Sequence, residues 1–173
     1  NVESYCAAAL IALYGAEWFR SRGTARSSGT KLLSVSGDCE RPGIYEYPLG
    51  ITVREVLEDS GARGAIAVQA GGPSGVCLGQ DEFERRIAFE DIETGGAFIV
   101  FYGSRDMFEV ARHFAHFFAE ESCGFCTPCR VGTSLLRNMM DKIRDGKGSQ
   151  HDLNTIEELG RLRDDLAARG ALV

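Results

Sequence analysis

Apolar residues recur at helical spacing from the first positions of the chain. Val2, Tyr5, Cys6, Ala9, Leu10, Leu13 and Trp18 fall on one face of a helix running from Val2 to Phe19. Arg20 to Gly29, with Ser21, Gly23, Ser27 and Ser28, reads as a polar linker. From Thr30 the period changes. Lys31 to Gly37 predicts a strand, Arg41-Pro42-Gly43 a turn, and Ile44-Tyr45-Glu46-Tyr47 a second short strand. Thr52 and Glu55 form a capping-box pair at the start of a short helix, Val53 to Ser60, with Gly61 just past its end. Ala65 to Ala70 predicts a third strand, Gly71 to Gly75 a glycine-rich turn, and Ala97 to Tyr102 a final strand. A strand pair, one helix and further strands point to a small α+β roll of β-grasp type.

From Ser104 the pattern turns helical. Ser104 is the expected cap, Asp106 and Glu109 suit the positive helix start, and Met107, Phe108, Ala111, Phe114, Phe117 and Phe118 make an apolar stripe. A second helix is expected from Pro128 to Asp145, with Leu135, Leu136, Met139, Met140 and Ile143 inward and Gly146 at its end. A third begins near Asp152, with Leu153, Ile156, Leu159, Leu162 and Leu166 on one side. Three amphipathic helices with short loops predict a bundle. The expected fold class is therefore α+β: a small β-grasp domain followed by an all-α helical bundle.

Composition narrows the function classes. The 173 residues are 44% hydrophobic and 25% charged, which excludes an intrinsically disordered chain. A net charge of −6 disfavours nucleic acid or an anionic membrane surface as the main partner. No apolar run approaches the length of a membrane span. The opening Asn1-Val2-Glu3-Ser4 lacks a basic n-region, so a reducing compartment, the cytoplasm, is expected. Because Asn1 already reads as the start of a helix, the chain is expected to be part of a larger protein.

Three of the 6 cysteines carry the chemistry. Cys123, Cys126 and Cys129 stand in a C-x2-C-x2-C run within Glu121-Ser122-Cys123-Gly124-Phe125-Cys126-Thr127-Pro128-Cys129-Arg130. Three thiolates at this spacing can wrap an iron–sulfur cluster, whereas zinc usually takes one such pair with the other well away. Pro128 suits a first helical position. The amides and dipole of that helix start would stabilise thiolates, and Arg130 adds a cation. A four-iron cluster normally takes four thiolates, and no Cys follows Cys129. His113 and His116, one turn apart, are possible ligands, but read more simply as helix-surface residues. Cys6, Cys39 and Cys77 read as small packing residues. His151 falls in a polar loop. Gly71 to Gly75 reads as a structural turn rather than a phosphate cradle. Arg85-Arg86 with Asp81, Glu82 and Glu84 reads as a solvated face.

The Glu121–Arg130 run, with Gly132-Thr133, resembles the iron–sulfur signature of the NADH-binding flavoprotein subunit of respiratory complex I, which recurs in NAD-reducing hydrogenases and NAD-dependent formate dehydrogenases. Asn1-Val2-Glu3-Ser4 resembles the stretch that closes the family's flavin domain. Gly29-Thr30-Lys31-Leu32, Ser36-Gly37, Pro42-Gly43-Ile44-Tyr45-Glu46 and Ala70 to Gly75 resemble its soluble-ligand-binding β-grasp (SLBB) domain. Ser36-Gly37-Asp38-Cys39 and Gly72 to Gly75 lean toward the formate dehydrogenase and hydrogenase branch. The resemblance implies residues 1–29 as the end of a flavin domain, 30–103 as the SLBB domain and 104–173 as a helical 4Fe-4S domain. It implies a 4Fe-4S cluster on Cys123, Cys126 and Cys129, fed by FMN that NADH reduces, with Asn1 a remnant of the FMN contact. The family's fourth Cys would fall in Ala168 to Val173, which holds none. A shortened or altered end, a three-iron cluster or an outside ligand are the alternatives.

The function implied is an electron-transfer segment of an NAD(H)-dependent oxidoreductase, an enzyme by virtue of its parent complex. Its partners would be other subunits, including an iron–sulfur subunit. The rival expectation is a non-catalytic β-grasp module that binds a ligand or partner, with structural zinc or no metal.

Overall fold

Asn1 opens the chain as a helix cap, its side-chain oxygen accepting the Ser4 N–H at 3.1 Å. Helix α1 (Val2–Tyr14) follows, and α2 (Ala16–Arg20) comes after it. The single helix expected to Phe19 is broken at Gly15, whose φ of +88° suits a residue with no Cβ. The apolar spacing runs across this break and hides it. Nor is the apolar face covered: α1 buries none of its residues, and Val2, Tyr5 and Leu13 are mostly exposed.

The computed structural model describes residues 1–168, with side chains described through Arg161. It divides into two compact units, Asn1–Arg105 and Asp106–Val173. In the first unit, β1 (Thr30–Gly37) and β2 (Gly43–Pro48) pair antiparallel, with Leu33 opposite Tyr45. Helix α3 (Val53–Asp59) follows, opened by the capping box expected from the sequence: Thr52 Oγ1 accepts the Glu55 N–H, and the Glu55 carboxylate accepts the Thr52 N–H at 2.9 Å. Then come β3 (Ala65–Ala70), β4 (Val76–Gly79) and β5 (Ala97–Tyr102). The sheet order is β2-β1-β5-β3-β4. The central pair β1 and β5 is parallel, and every other neighbour is antiparallel.

Strand β4 is an addition to the expected set, and the glycine-rich segment before it is the hairpin turn between β3 and β4. A Cβ on Gly75 would lie 1.8 Å from the Ala70 carbonyl oxygen, so this turn closes only around glycine. The core lies between sheet and helix. Leu33, Val35, Val68, Phe98 and Val100 meet Val53, Val56 and Leu57 of α3, and Ile87 and Ile92 of the following loop complete it. Each side chain so buried contributes about 1.5–3 kcal/mol. Asp38, just past β1, accepts the Tyr102 N–H at 3.1 Å and pairs with Arg105 at 2.6 Å, pinning the end of β5.

The second unit is helical: α4 (Met107–Glu121), α5 (Thr127–Arg144) and α6 (Gln150–Ala168). Asp106, not Ser104, caps α4, because its Oδ1 reaches the Phe108 and Glu109 N–H groups. α4 and α5 are joined through Asp141, which takes Arg112 at 3.0 Å and His116 at 2.9 Å. The buried Asp152 of α6 accepts Lys142 at 2.7 Å and the Ser149 N–H at 2.7 Å. The expected inward Leu162 and Leu166 lie outside the residues whose side chains are described. Among the described residues no helix is long and apolar enough to cross a membrane.

Candidate metal centre

The three clustered cysteines occupy the link between α4 and α5. Ser122 ends α4 in an extended conformation, with φ −63° and ψ 123°. Cys123 follows in the loop, and Gly124 turns the chain at φ +74°. Cys126 is the N-cap of α5, Pro128 lies at the helix start, and Cys129 sits in the first turn. Cys126 and Cys129 are therefore one turn apart on one side of the helix. All three are exposed free thiols. No side chain caps this helix start, so its amide end is open to a negatively charged group.

The loop is held by its own polar contacts. The Gly124 N–H donates to Ser122 Oγ at 3.3 Å, and the Arg130 guanidinium donates to the Gly124 carbonyl at 2.7 Å. This contact is what holds the Arg130 cation beside the cysteines. Ser122 Oγ lies 3.4 Å from Cys129 Sγ. Thr133 Oγ1 donates to the Cys129 carbonyl at 2.7 Å.

Among the described residues, no three His, Cys, Asp or Glu side chains are grouped closely enough to hold a single metal ion. One zinc needs convergent ligands. A four-iron cluster presents a separate iron to each thiolate, so its sulfurs surround one compact core at a wider spacing than ligands on one ion. Three exposed thiols at an uncapped helix start match in number and donor type three of the thiolates that such a cluster takes. The segment in which the family's fourth Cys would fall, Ala168 to Val173, lies almost wholly outside the described residues.

The remaining candidates lie elsewhere. His116 is engaged by Asp141 and so serves the α4–α5 junction, while His113 is exposed. His151 lies in the first turn of α6 rather than in a loop. Cys39 is half-buried, and burial together with the Asp38 charge pushes its thiol pKa up, favouring the neutral form. Cys6 lies on α1 and Cys77 on β4. Asn1 caps α1. Arg85 pairs with Glu82 and Asp91. A cleft of about 670 Å3 bordered by Arg54, Leu57, Glu58 and Phe83 contains none of the cysteines. Sequence reading missed Ser122. Its link to Cys129 spans seven positions across a helix end, a separation with no periodic signal.

Comparison with known proteins finds relatives of the segment that contains these cysteines. Residues 109–167 match the NADH-ubiquinone oxidoreductase-F iron-sulfur binding region. The chain is 47% identical over 174 residues to the alpha subunit of the NAD-reducing hydrogenase HoxS of Cupriavidus necator, an alignment covering 100% of this chain and 27% of that protein. It is 33% identical over 172 residues to the F subunit of the NADH-quinone oxidoreductase of Escherichia coli, covering 93% and 39%. The crystal structure of an NAD+-reducing NiFe hydrogenase in the H2-reduced state superposes with a TM-score of 0.87 at 43% identity, covering 92% of this chain and 28% of that one. The chain thus spans 27% and 39% of the length of these two curated relatives. Over residues 109–167 it carries the iron–sulfur binding region named for the F subunit of NADH-ubiquinone oxidoreductase, and over nearly its whole length it is similar to a segment of these larger subunits.

Proposed function

We propose that the chain is the electron-transfer segment of an NAD(H)-dependent oxidoreductase subunit, relaying electrons between FMN and further iron–sulfur centres. The observation that carries this reading is the set of three exposed cysteines around the uncapped start of α5. Cys123, Cys126 and Cys129 would hold a 4Fe-4S cluster, which when bound supplies one-electron redox capacity at a fixed point. The chain's own residues do the rest. The α5 amide end and the Arg130 cation favour the more negative, reduced state and so raise the potential of the site.

Residues 30–103 are read as an SLBB β-grasp domain and 104–173 as the cluster domain. Support for the first comes from the sheet order, in which the parallel pair β1–β5 is central, with β2 outside β1 and the β3–β4 hairpin outside β5, and α3 packs on the sheet. Residues 1–29 would close a flavin domain, with Asn1 near the FMN. Hydride transfer from NADH would belong to the parent protein outside this chain. The expected partners are other subunits of the complex, including an iron–sulfur subunit, in the cytoplasm.

The chain reconstituted anaerobically with iron and sulfide should carry both and show a broad visible band that dithionite bleaches. Cys126→Ser should lose most of the iron and the band. Zinc at one per chain without sulfide overturns the cluster, and undiminished iron in Cys126→Ser overturns the ligand assignment.

A further inference from the structure

We propose that the Ser122 hydroxyl is a positioning group for the cluster, donating a hydrogen bond to the Cys129 sulfur and raising the potential at which the cluster is reduced. The proposal rests on the reading that Cys129 is a ligand.

The direction of the bond follows from its neighbours. Ser122 Oγ has two contacts, the Gly124 N–H at 3.3 Å and Cys129 Sγ at 3.4 Å. An amide N–H only donates, so toward Gly124 the hydroxyl is the acceptor and its proton is left free. A ligating thiolate has no proton to give. The remaining hydrogen therefore runs from Ser122 Oγ to Cys129 Sγ. Among the described residues this is the hydrogen bond that a side chain makes to any of the three clustered sulfurs.

The hydroxyl is held there by bonds that do not depend on metal. Arg130 grips the Gly124 carbonyl at 2.7 Å, fixing the peptide whose next-door N–H orients Ser122. Thr133 grips the Cys129 carbonyl at 2.7 Å, fixing the other end. A hydrogen bond to a ligating sulfur draws charge from it and stabilises the reduced cluster, so the potential rises. The three ligands are thereby unequal, with the iron on Cys129 the one so favoured.

The test uses the full chain, reconstituted anaerobically as wild type, Ser122→Ala and Ser122→Thr. Redox titration and resonance Raman spectra in H2O and D2O are recorded for each. In Ser122→Ala the midpoint should shift negative at unchanged iron and sulfide content, and the deuterium shift of one iron–cysteine stretching band should vanish. Ser122→Thr, which keeps the hydroxyl, should keep both properties of the wild type. An unchanged midpoint and an unchanged deuterium shift in loaded Ser122→Ala overturn the proposal. If Ser122→Ala does not load, Ser122→Thr decides: wild-type midpoint and isotope shift support the proposal, and failure to load or a lost isotope shift overturns it. Failure of the wild type to take up iron and sulfide is a different result, and overturns the ligand reading beneath it.

Discussion

The two units spend their apolar residues differently. In the sheet unit, strands β1, β3 and β5 press Leu33, Val68, Phe98 and Val100 against Val53, Val56 and Leu57, and these side chains are at most 5% exposed. In the helical unit the stripes are just as legible, yet α4 buries no residue, and Met139 is the buried apolar side chain among the described residues. One unit closes around a core of its own. The other carries polar junctions, Arg112 and His116 on Asp141 and Lys142 on Asp152, and leaves its cysteines outside. The helical unit thus leaves its three clustered cysteines unburied at the link where the metal chemistry is proposed. A bound cluster there would tie three points of the α4–α5 link together, and its binding energy would add to folding.

The largest effect expected from that comparison is on metal removal. Stripping iron from the reconstituted chain should lower the unfolding temperature of the helical transition and leave the sheet transition in place. If the cluster contributes even about 3 kcal/mol to a unit of this size, the shift is upward of about 10 °C. Calorimetry with and without iron measures it. Equal shifts of both transitions would break the comparison by making the units one cooperative body.

The converse perturbation is Phe98→Ala. Phe98 is fully buried in β5, opposite Ala70 on one side and Val35 on the other. Its truncation leaves a cavity and should cost about 3–5 kcal/mol. The sheet transition should fall while iron per chain stays at the wild-type value. Loss of iron in this variant would show that the cysteine link depends on the sheet core.

What was legible in the sequence followed the same division. Strong local signals survived folding: the alternation in β1, the Thr52–Glu55 box and the apolar run of β5. Features set by single backbone angles or by neighbours were not. Helical periodicity is blind to Gly15, where one positive φ breaks an otherwise continuous pattern. β4 has 4 residues, too few to establish a period, and exists because β3 offers its edge across a tight turn. Ser104 and Asp106 are both competent caps, and only the geometry at the helix start chooses Asp106. The residues expected to form an apolar face on α1 are not buried, since burial depends on what lies opposite. In the candidate site the proposed ligands stand out because their chemistry lies in their identity. Ser122 does not, because its role lies in a distance.

The smallest effect sharpens the comparison at its polar margin. The sheet unit has a carboxylate clamp in Asp38, which the Arg105 guanidinium and the Tyr102 N–H hold down at a pKa of about 2, from an ordinary 3.8. The folded pKa is the lower one, so the clamp stabilises the fold in full above the ordinary carboxylate range. That contribution is lost as the pH falls from about 4 towards 2. The Arg105 side chain is 56% exposed, so solvent screens the pair and the loss should amount to a few degrees at most. The sheet transition of the wild type should therefore drop over that acid window, and Asp38→Asn, which keeps an acceptor but no charge, should make the drop smaller, the remainder coming from Glu3, Glu55, Glu90 and Asp91, whose pKa values are also lowered. The apolar core of β1, β5 and α3 has nothing to titrate, so an acid drop of undiminished size in Asp38→Asn would mean that these other carboxylates, and not this clamp, link the sheet to pH.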